Sequence, residues 1–139
     1  MVREHLAARD IRSSDVLRAM QTVLRHHFVP AGSEKLAYID RPLRIGHGQT
    51  ISQPYIVALM TQLVGAKPGM KALDVGTGSG YQAAVLAEIV DHVYGVEIVC
   101  PLAEQSKGRL ERLGYTNTTV RCGDGYRGWP GDWGSDPAT

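Results

Sequence analysis

The chain has 139 residues, of which 43% are hydrophobic and 21% charged, and a formal net charge of +1. These values describe one ordinary globular domain, long enough to bury a real core. They exclude a nucleic-acid surface built on bulk positive charge, and no apolar run approaches the ~20 residues that cross a bilayer. The opening M-V-R-E-H-L-A-A-R-D has no apolar signal-peptide core, so cytoplasmic residence is expected. Cys100 and Cys122 form no C-x-x-C pair and sit at no metal-ligand spacing with a histidine. They read as reduced thiols, and no metal is expected.

In chain order, Ser13-Ser14-Asp15 caps a predicted helix over 13–29, with Val16, Leu17, Met20, Val23 and Leu24 at helical spacing. Pro30-Ala31-Gly32 ends it. His26 and His27 in its last turn suit the helix dipole, and with no third ligand nearby they do not read as a metal pair. Residues 38–50, Y-I-D-R-P-L-R-I-G-H-G-Q-T, show no helical period and read as an extended, looping segment. A connection of that length is more often functional than idle. A second helix starts at Ile51-Ser52-Gln53-Pro54, with apolar positions at Ile56, Val57, Leu59, Met60 and Leu63. Ser52 fits the N-cap and Pro54 the first turn. Gly65 and Pro68-Gly69 close this helix.

The stretch Lys71–Tyr81, K-A-L-D-V-G-T-G-S-G-Y, carries the strongest signal. Ala72, Leu73 and Val75 suit a buried parallel strand. Gly76, Gly78 and Gly80 follow, and then Gln82 to Glu88, mostly helix formers. Strand, glycine turn and helix bring bare backbone N–H groups close to a ligand. The dinucleotide fingerprint wants a glycine at the sixth position, which is Tyr81, and the P-loop ending is absent. What remains is G-x-G-x-G with Asp74 two residues ahead, the pattern of class I S-adenosylmethionine methyltransferases. An ordinary glycine-rich turn is the alternative.

His92–Ile98 reads as a second strand. Glu97 near its end is placed either on the ribose hydroxyls of an adenosine cofactor or in a structural salt bridge. Pro101–Leu113 is a charged amphipathic helix with Leu102, Leu110 and Leu113 on its apolar side, stopped by Gly114. Thr118–Cys122 is a third strand running into Gly123-Asp124-Gly125. Asp124 there is either an acceptor for the adenine amino group or a turn aspartate.

Together these segments resemble the protein-L-isoaspartate (D-aspartate) O-methyltransferase family. Gly46–Pro54, G-H-G-Q-T-I-S-Q-P, is similar to its substrate-side hallmark, and L-D-V-G-T-G-S-G-Y-Q-A-A-V-L-A and G-D-G-Y-R-G-W-P read like its bacterial members. The likeness runs from about Ser14 to Pro130. It implies an α/β, Rossmann-like class I methyltransferase fold, incomplete, with the first three parallel strands in the order 3-2-1 after N-terminal helices. One domain is expected over 1–139: a helical, substrate-side part (1–70), a cofactor half (71–130) and a polar tail (131–139).

The resemblance also implies a function. S-adenosyl-L-methionine would methylate the free carboxylate of L-isoaspartyl or D-aspartyl residues in aged proteins, and the ester would collapse to a succinimide on the way to repair. Carried over by position, Ser52 is the active-site serine, with Thr50, Ile51 and Gln53 on the substrate side. Asp74, Gly76, Thr77, Gly78, Gly80, Glu97, Ile98, Asp124 and Gly125 are the cofactor positions. The partners implied are isoaspartyl peptides and proteins, with neither nucleic acid nor membrane. The family continues past the W-P segment with further strands and helices, whereas this chain ends G-D-W-G-S-D-P-A-T. A cofactor-binding fragment with little activity, self-associating through an unpaired sheet edge, is therefore one alternative, and a methyltransferase for another substrate is a second.

Overall fold

A computed structural model describes residues 1–127 and Trp129. A π-helical turn, Val2–Ala7, leads to helix α1, Ser14–Thr22. Ser13 caps α1 as expected, its Oγ accepting the Val16 N–H at 3.3 Å. The helix turns Val16, Ala19 and Met20 into the core and stops at Val23, short of the expected residue 29. The reason is packing. Val23, Arg25 and Phe28 are all buried, and residues two apart lie on opposite sides of an α-helix. The chain instead extends at Val23–Leu24 and re-enters as a 3₁₀ turn, Arg25–Phe28.

After a second 3₁₀ turn, Glu34–Leu36, the segment expected to loop forms an antiparallel hairpin. Its strands are β1, Leu43–Gly46, and β2, Gln49–Ile51. The turn Gly46-His47-Gly48 has positive φ at all three residues (92°, 52° and 70°), which the two glycines adopt freely. Helix α2, Pro54–Leu63, follows. Its N-cap is Gln53, without a side-chain cap bond, so the expected capping role of Ser52 is not observed. Asp40 does that work from outside the helix, its Oδ1 accepting the Tyr55 N–H at 3.0 Å.

Helix α2 buries Val57, Ala58 and Thr61. Ile56, Met60 and Leu63, expected on its apolar side, are exposed. Gln62 ties α2 to α1: its Oε1 accepts the Arg12 and Ser13 N–H groups, and its Nε2 donates to the Asp10 carbonyl.

The second half alternates strand and helix: β3 (Lys71–Val75), α3 (Tyr81–Ala87), β4 (His92–Glu97), α4 (Cys100–Arg112) and β5 (Thr118–Cys122). The three strands form a parallel sheet in the order β3-β4-β5, which is the expected 3-2-1 arrangement read from the other side. β4 lies in the middle and is buried from Val93 onward. β3 was expected to be buried on both faces. Among the described residues it pairs only with β4, and Leu73 and Val75 are 39% and 58% exposed.

The cysteines expected to be reduced thiols are joined as a Cys100–Cys122 disulfide. The register explains the meeting: β4 and β5 pair Glu97 with Cys122, and Cys100 starts α4 three residues after Glu97. Gly128 and Pro130 of the third motif, and the tail 131–139, lie outside the described residues. No helix among the described residues is long and apolar enough to cross a membrane.

Candidate functional site

The carboxyl ends of β3, β4 and β5 open on one crevice, where ligands of open parallel sheets sit. Gly76, Gly78 and Gly80 have φ of 78°, 57° and 92°, and these left-handed values let the chain turn from β3 into α3 within five residues. The Gly76 and Thr77 N–H groups donate to the Val96 carbonyl at 2.7 and 3.3 Å, folding the loop over the end of β4. Gly80 N–H closes a turn on the Thr77 carbonyl. From the far side, Arg109 of α4 donates to the Ser79 carbonyl at 2.7 Å. Thr77 packs so tightly on β4 that a Cβ on Gly95 would lie 2.5 Å from its Oγ1.

Glu97 holds the loop by its side chain. Oε1 accepts the Gly78 N–H at 2.8 Å and Oε2 accepts the Val99 N–H at 3.0 Å, with the residue only 4% exposed. The alternative of a structural salt bridge finds no support among the described residues. A carboxylate has about four acceptor positions, so each oxygen keeps one to offer. Two neighbouring hydroxyl donors match that pair.

Asp74, one residue before the end of β3, has an Oδ2 shut off from solvent with no hydrogen-bond partner. Burial raises its pKa to about 7, and the nearby Glu97 charge adds to the rise. An unfolded aspartate releases its proton near 4, so the ligand-free protein binds the extra proton between about pH 4 and 7. By linkage this group makes stability fall as pH rises through that window. A cation beside Oδ2 reverses the effect, because it favours the ionised form.

Val75, Gly76, Val96, Ile98, Asp124 and Gly125 line a cavity of about 380 Å³ at the strand ends. Thus the structure gathers Gly76, Ile98, Asp124 and Gly125 in one place, with Gly78 tied to Glu97 beside it. Asp124 is exposed, and its Oδ1 accepts the Tyr126 N–H at 2.9 Å, so it serves the turn as well.

Thr50, Ile51, Ser52 and Gln53 lie elsewhere, on β2 and its link to α2. The hairpin reaches the glycine loop through Ile45, whose Cδ1 lies 3.6 Å from where a Cβ on Gly78 would be. Ser52 is exposed. The N–H groups at the start of α2 are already used: Asp40 takes that of Tyr55, the Gln53 carbonyl takes those of Ile56 and Val57, and Pro54 has none. The donors this stretch can offer an anion are therefore on side chains: the Thr50 and Ser52 hydroxyls, both exposed, and the Gln53 amide. Asp40 and Ile45 escaped sequence reasoning because each acts on a partner 15 or more residues away, through no local pattern.

Residues 1–133 match the family model described as Protein-L-isoaspartate(D-aspartate) O-methyltransferase (PCMT). The chain belongs to that family. A protein-L-isoaspartate O-methyltransferase of Opitutus terrae is 58% identical over 130 residues, 94% of this chain and 56% of the relative. Among solved structures, a protein-L-isoaspartate O-methyltransferase superposes with a TM-score of 0.79 at 34% identity, covering 85% of this chain and 40% of its own. A second, from Plasmodium falciparum and in complex with S-adenosyl-L-homocysteine, has a TM-score of 0.69 at 32% identity, covering 84% and 59%. The chain thus spans little more than half the length of the first relative, and its described residues form part of the Rossmann-like methyltransferase fold, with three parallel strands.

Proposed function

We propose that this chain binds S-adenosyl-L-methionine at the strand-end crevice and directs methyl transfer to the carboxylate of L-isoaspartyl and D-aspartyl residues, as a cytoplasmic protein-repair activity. The observation that carries the reading is the pair of acids. Asp74 offers a buried oxygen without a partner, and Glu97 offers two acceptor positions beside the glycine loop. The cofactor has a cationic amino group at one end and two vicinal ribose hydroxyls in the middle. Asp74 fits the first and Glu97 the second, with Ile98 and the Asp124-Gly125 turn against the adenine. Gly76, Thr77, Gly78 and Gly80 supply the close backbone approach.

When bound, the cofactor supplies a sulfonium methyl electrophilic enough for a carboxylate oxygen to displace the sulfur directly, giving the methyl ester and S-adenosyl-L-homocysteine. The substrate carboxylate, with an ordinary pKa near 4, is ionised at neutral pH, so no side chain need act as a base. What the chain contributes is alignment. Ser52 donates its hydroxyl to the carboxylate, flanked by Thr50, Ile51 and Gln53. The paired test is methyl transfer to an isoaspartyl peptide and to its aspartyl twin. Transfer confined to the isoaspartyl peptide supports the reading; equal transfer to both, or none from cofactor-loaded protein, defeats it.

Ser52→Ala is expected to lower methyl transfer on the order of tenfold, the loss of one hydrogen bond to a charged group. Cofactor affinity should hold. Stability should change by less than about 0.5 kcal/mol, because this exposed serine caps nothing. A variant with full specific activity removes Ser52 from the site.

Cofactor affinity should also rise with pH. Only ionised Asp74 pairs with the amino cation, so binding should strengthen by up to about tenfold per pH unit from pH 5 to 7 and then level off. Asp74→Asn should bind weakly and flatten the profile. Calorimetry across that range checks both, and a flat profile for the unmodified protein would take Asp74 off the amino group.

A further inference from the structure

Among the described residues, Arg25 heads the fully buried side chains by volume, and it is charged. Its Nη2 donates to the Arg41 carbonyl at 3.4 Å, and its Cζ sits 4.9 Å from the centre of the Tyr81 ring. Its Nε and Nη1 have no hydrogen-bond partner. Burial lowers its pKa and outweighs the attraction of Tyr81 and of the Asp40 carboxylate, so even with the long hydrogen bond and the cation–π contact the guanidinium is a poor way to hold a core together. An apolar chain of similar volume is often as good or better in such a place. Stability alone does not account for an arginine here.

Its two partners belong to the two halves of the site. Tyr81 is the first residue of α3, directly behind the glycine loop. Arg41 lies two residues before β1, the first strand of the hairpin that ends at Ile51, next to Ser52. Its neighbour Asp40 holds the start of α2 through the Tyr55 N–H and pairs with Arg9 at 3.2 Å. At the other end of the hairpin, Ile45 rests over Gly78. The hairpin is therefore held beside the cofactor loop in two ways: Ile45 packs over Gly78, and Arg25 links Arg41, just before the hairpin, to Tyr81, just after the loop.

We propose that Arg25 is a positioning residue that clamps the 43–51 hairpin, and with it Ser52, against the glycine loop, so that it sets the alignment of substrate oxygen and methyl group. This rests on the methyl-transfer reading above. In-line transfer is sensitive to placement, since a shift of ~1 Å can cost about 100-fold.

The test compares Arg25→Met and Arg25→Lys with the unmodified 139-residue chain. In Arg25→Met, thermal stability should be unchanged or higher. Amides of residues 43–51 should exchange on the order of tenfold faster, while those of β4 keep their protection. S-adenosyl-L-homocysteine should bind within about threefold of the parent, and kcat should fall about 10- to 100-fold, with KM for the isoaspartyl peptide changing less. Arg25→Lys should not rescue kcat, because an ammonium lacks the planar face that stacks on Tyr81 while reaching the Arg41 carbonyl. Unchanged hairpin exchange overturns the clamp. So does a Met variant that unfolds or loses protection everywhere, which makes Arg25 an ordinary core residue. If the unmodified chain transfers no methyl group, the proposed function fails, and the exchange comparison still decides the clamp.

Discussion

Glu97→Ala is expected to weaken S-adenosyl-L-homocysteine binding by about 1.5–3 kcal/mol, on the order of 10- to 100-fold, and to cost about as much in stability. Both losses have the same source. The carboxylate accepts the Gly78 and Val99 N–H groups in the ligand-free protein, and its remaining acceptor positions face the proposed ribose. Truncation leaves two N–H groups at the crevice without their acceptor and removes the match to the ribose hydroxyls. Glu97→Gln should be nearly as damaging, because the amide must present its NH₂ to one of two N–H donors. Calorimetry on folded variant, with a thermal melt beside it, measures the two effects separately. Unchanged affinity in folded Glu97→Ala takes this residue out of the site.

The 139-residue chain is expected to self-associate. β3 leaves one side unpaired among the described residues, and Leu73 and Val75 on it are exposed. Beside it, Met60, Leu63, Val64 and Met70 are also exposed, at 53%, 74%, 66% and 40%. Met60, Val64 and Met70 border a groove of about 430 Å³ that runs along β3 to Asp74. An open strand edge next to an apolar surface of this kind is a template for association. Light scattering should give a mass above the 15.1 kDa of one chain. Leu73→Lys, which puts a charge on the edge away from the strand-end crevice, should shift the mass toward the monomer while leaving cofactor affinity in place. A stable monomer for the unmodified chain contradicts this expectation. A closed neighbouring wall would also help exclude water from the crevice, so low turnover should accompany the open edge.

The glycine loop, the three parallel strands and the helices between them were legible because their signals are local. Apolar runs, glycine spacing and an acid at a strand end each occupy a few consecutive residues. The same holds for Ser13, whose cap acts three residues away. What escaped depends on residues far apart in sequence. Asp40 replaces Ser52 at the start of α2 because the chain brings it back from 15 residues upstream. Arg25 carries no local signal within the helix expected over 13–29, yet it is buried against Tyr81, 56 residues later, and the helix ends before it. The hairpin was hidden because its strands have four and three residues, too few to show an alternation. The cysteines looked unrelated at a separation of 22 until the β4–β5 register set one beside the end of the other strand. Leu73 and Val75 were expected on a strand buried on both faces, whereas among the described residues β3 is an edge strand and both are exposed.

The central claim is where the cofactor sits, and one measurement addresses it directly. Isotope-labelled chain titrated with S-adenosyl-L-homocysteine should show amide shifts concentrated at Gly76–Gly80, at Glu97–Val99 and at Asp124–Gly125. The Glu97-bonded amides of Gly78 and Val99 should move most, and α1 should stay still. Shifts centred instead on Met60, Val64 and Met70, or none at saturating ligand, would contradict the account.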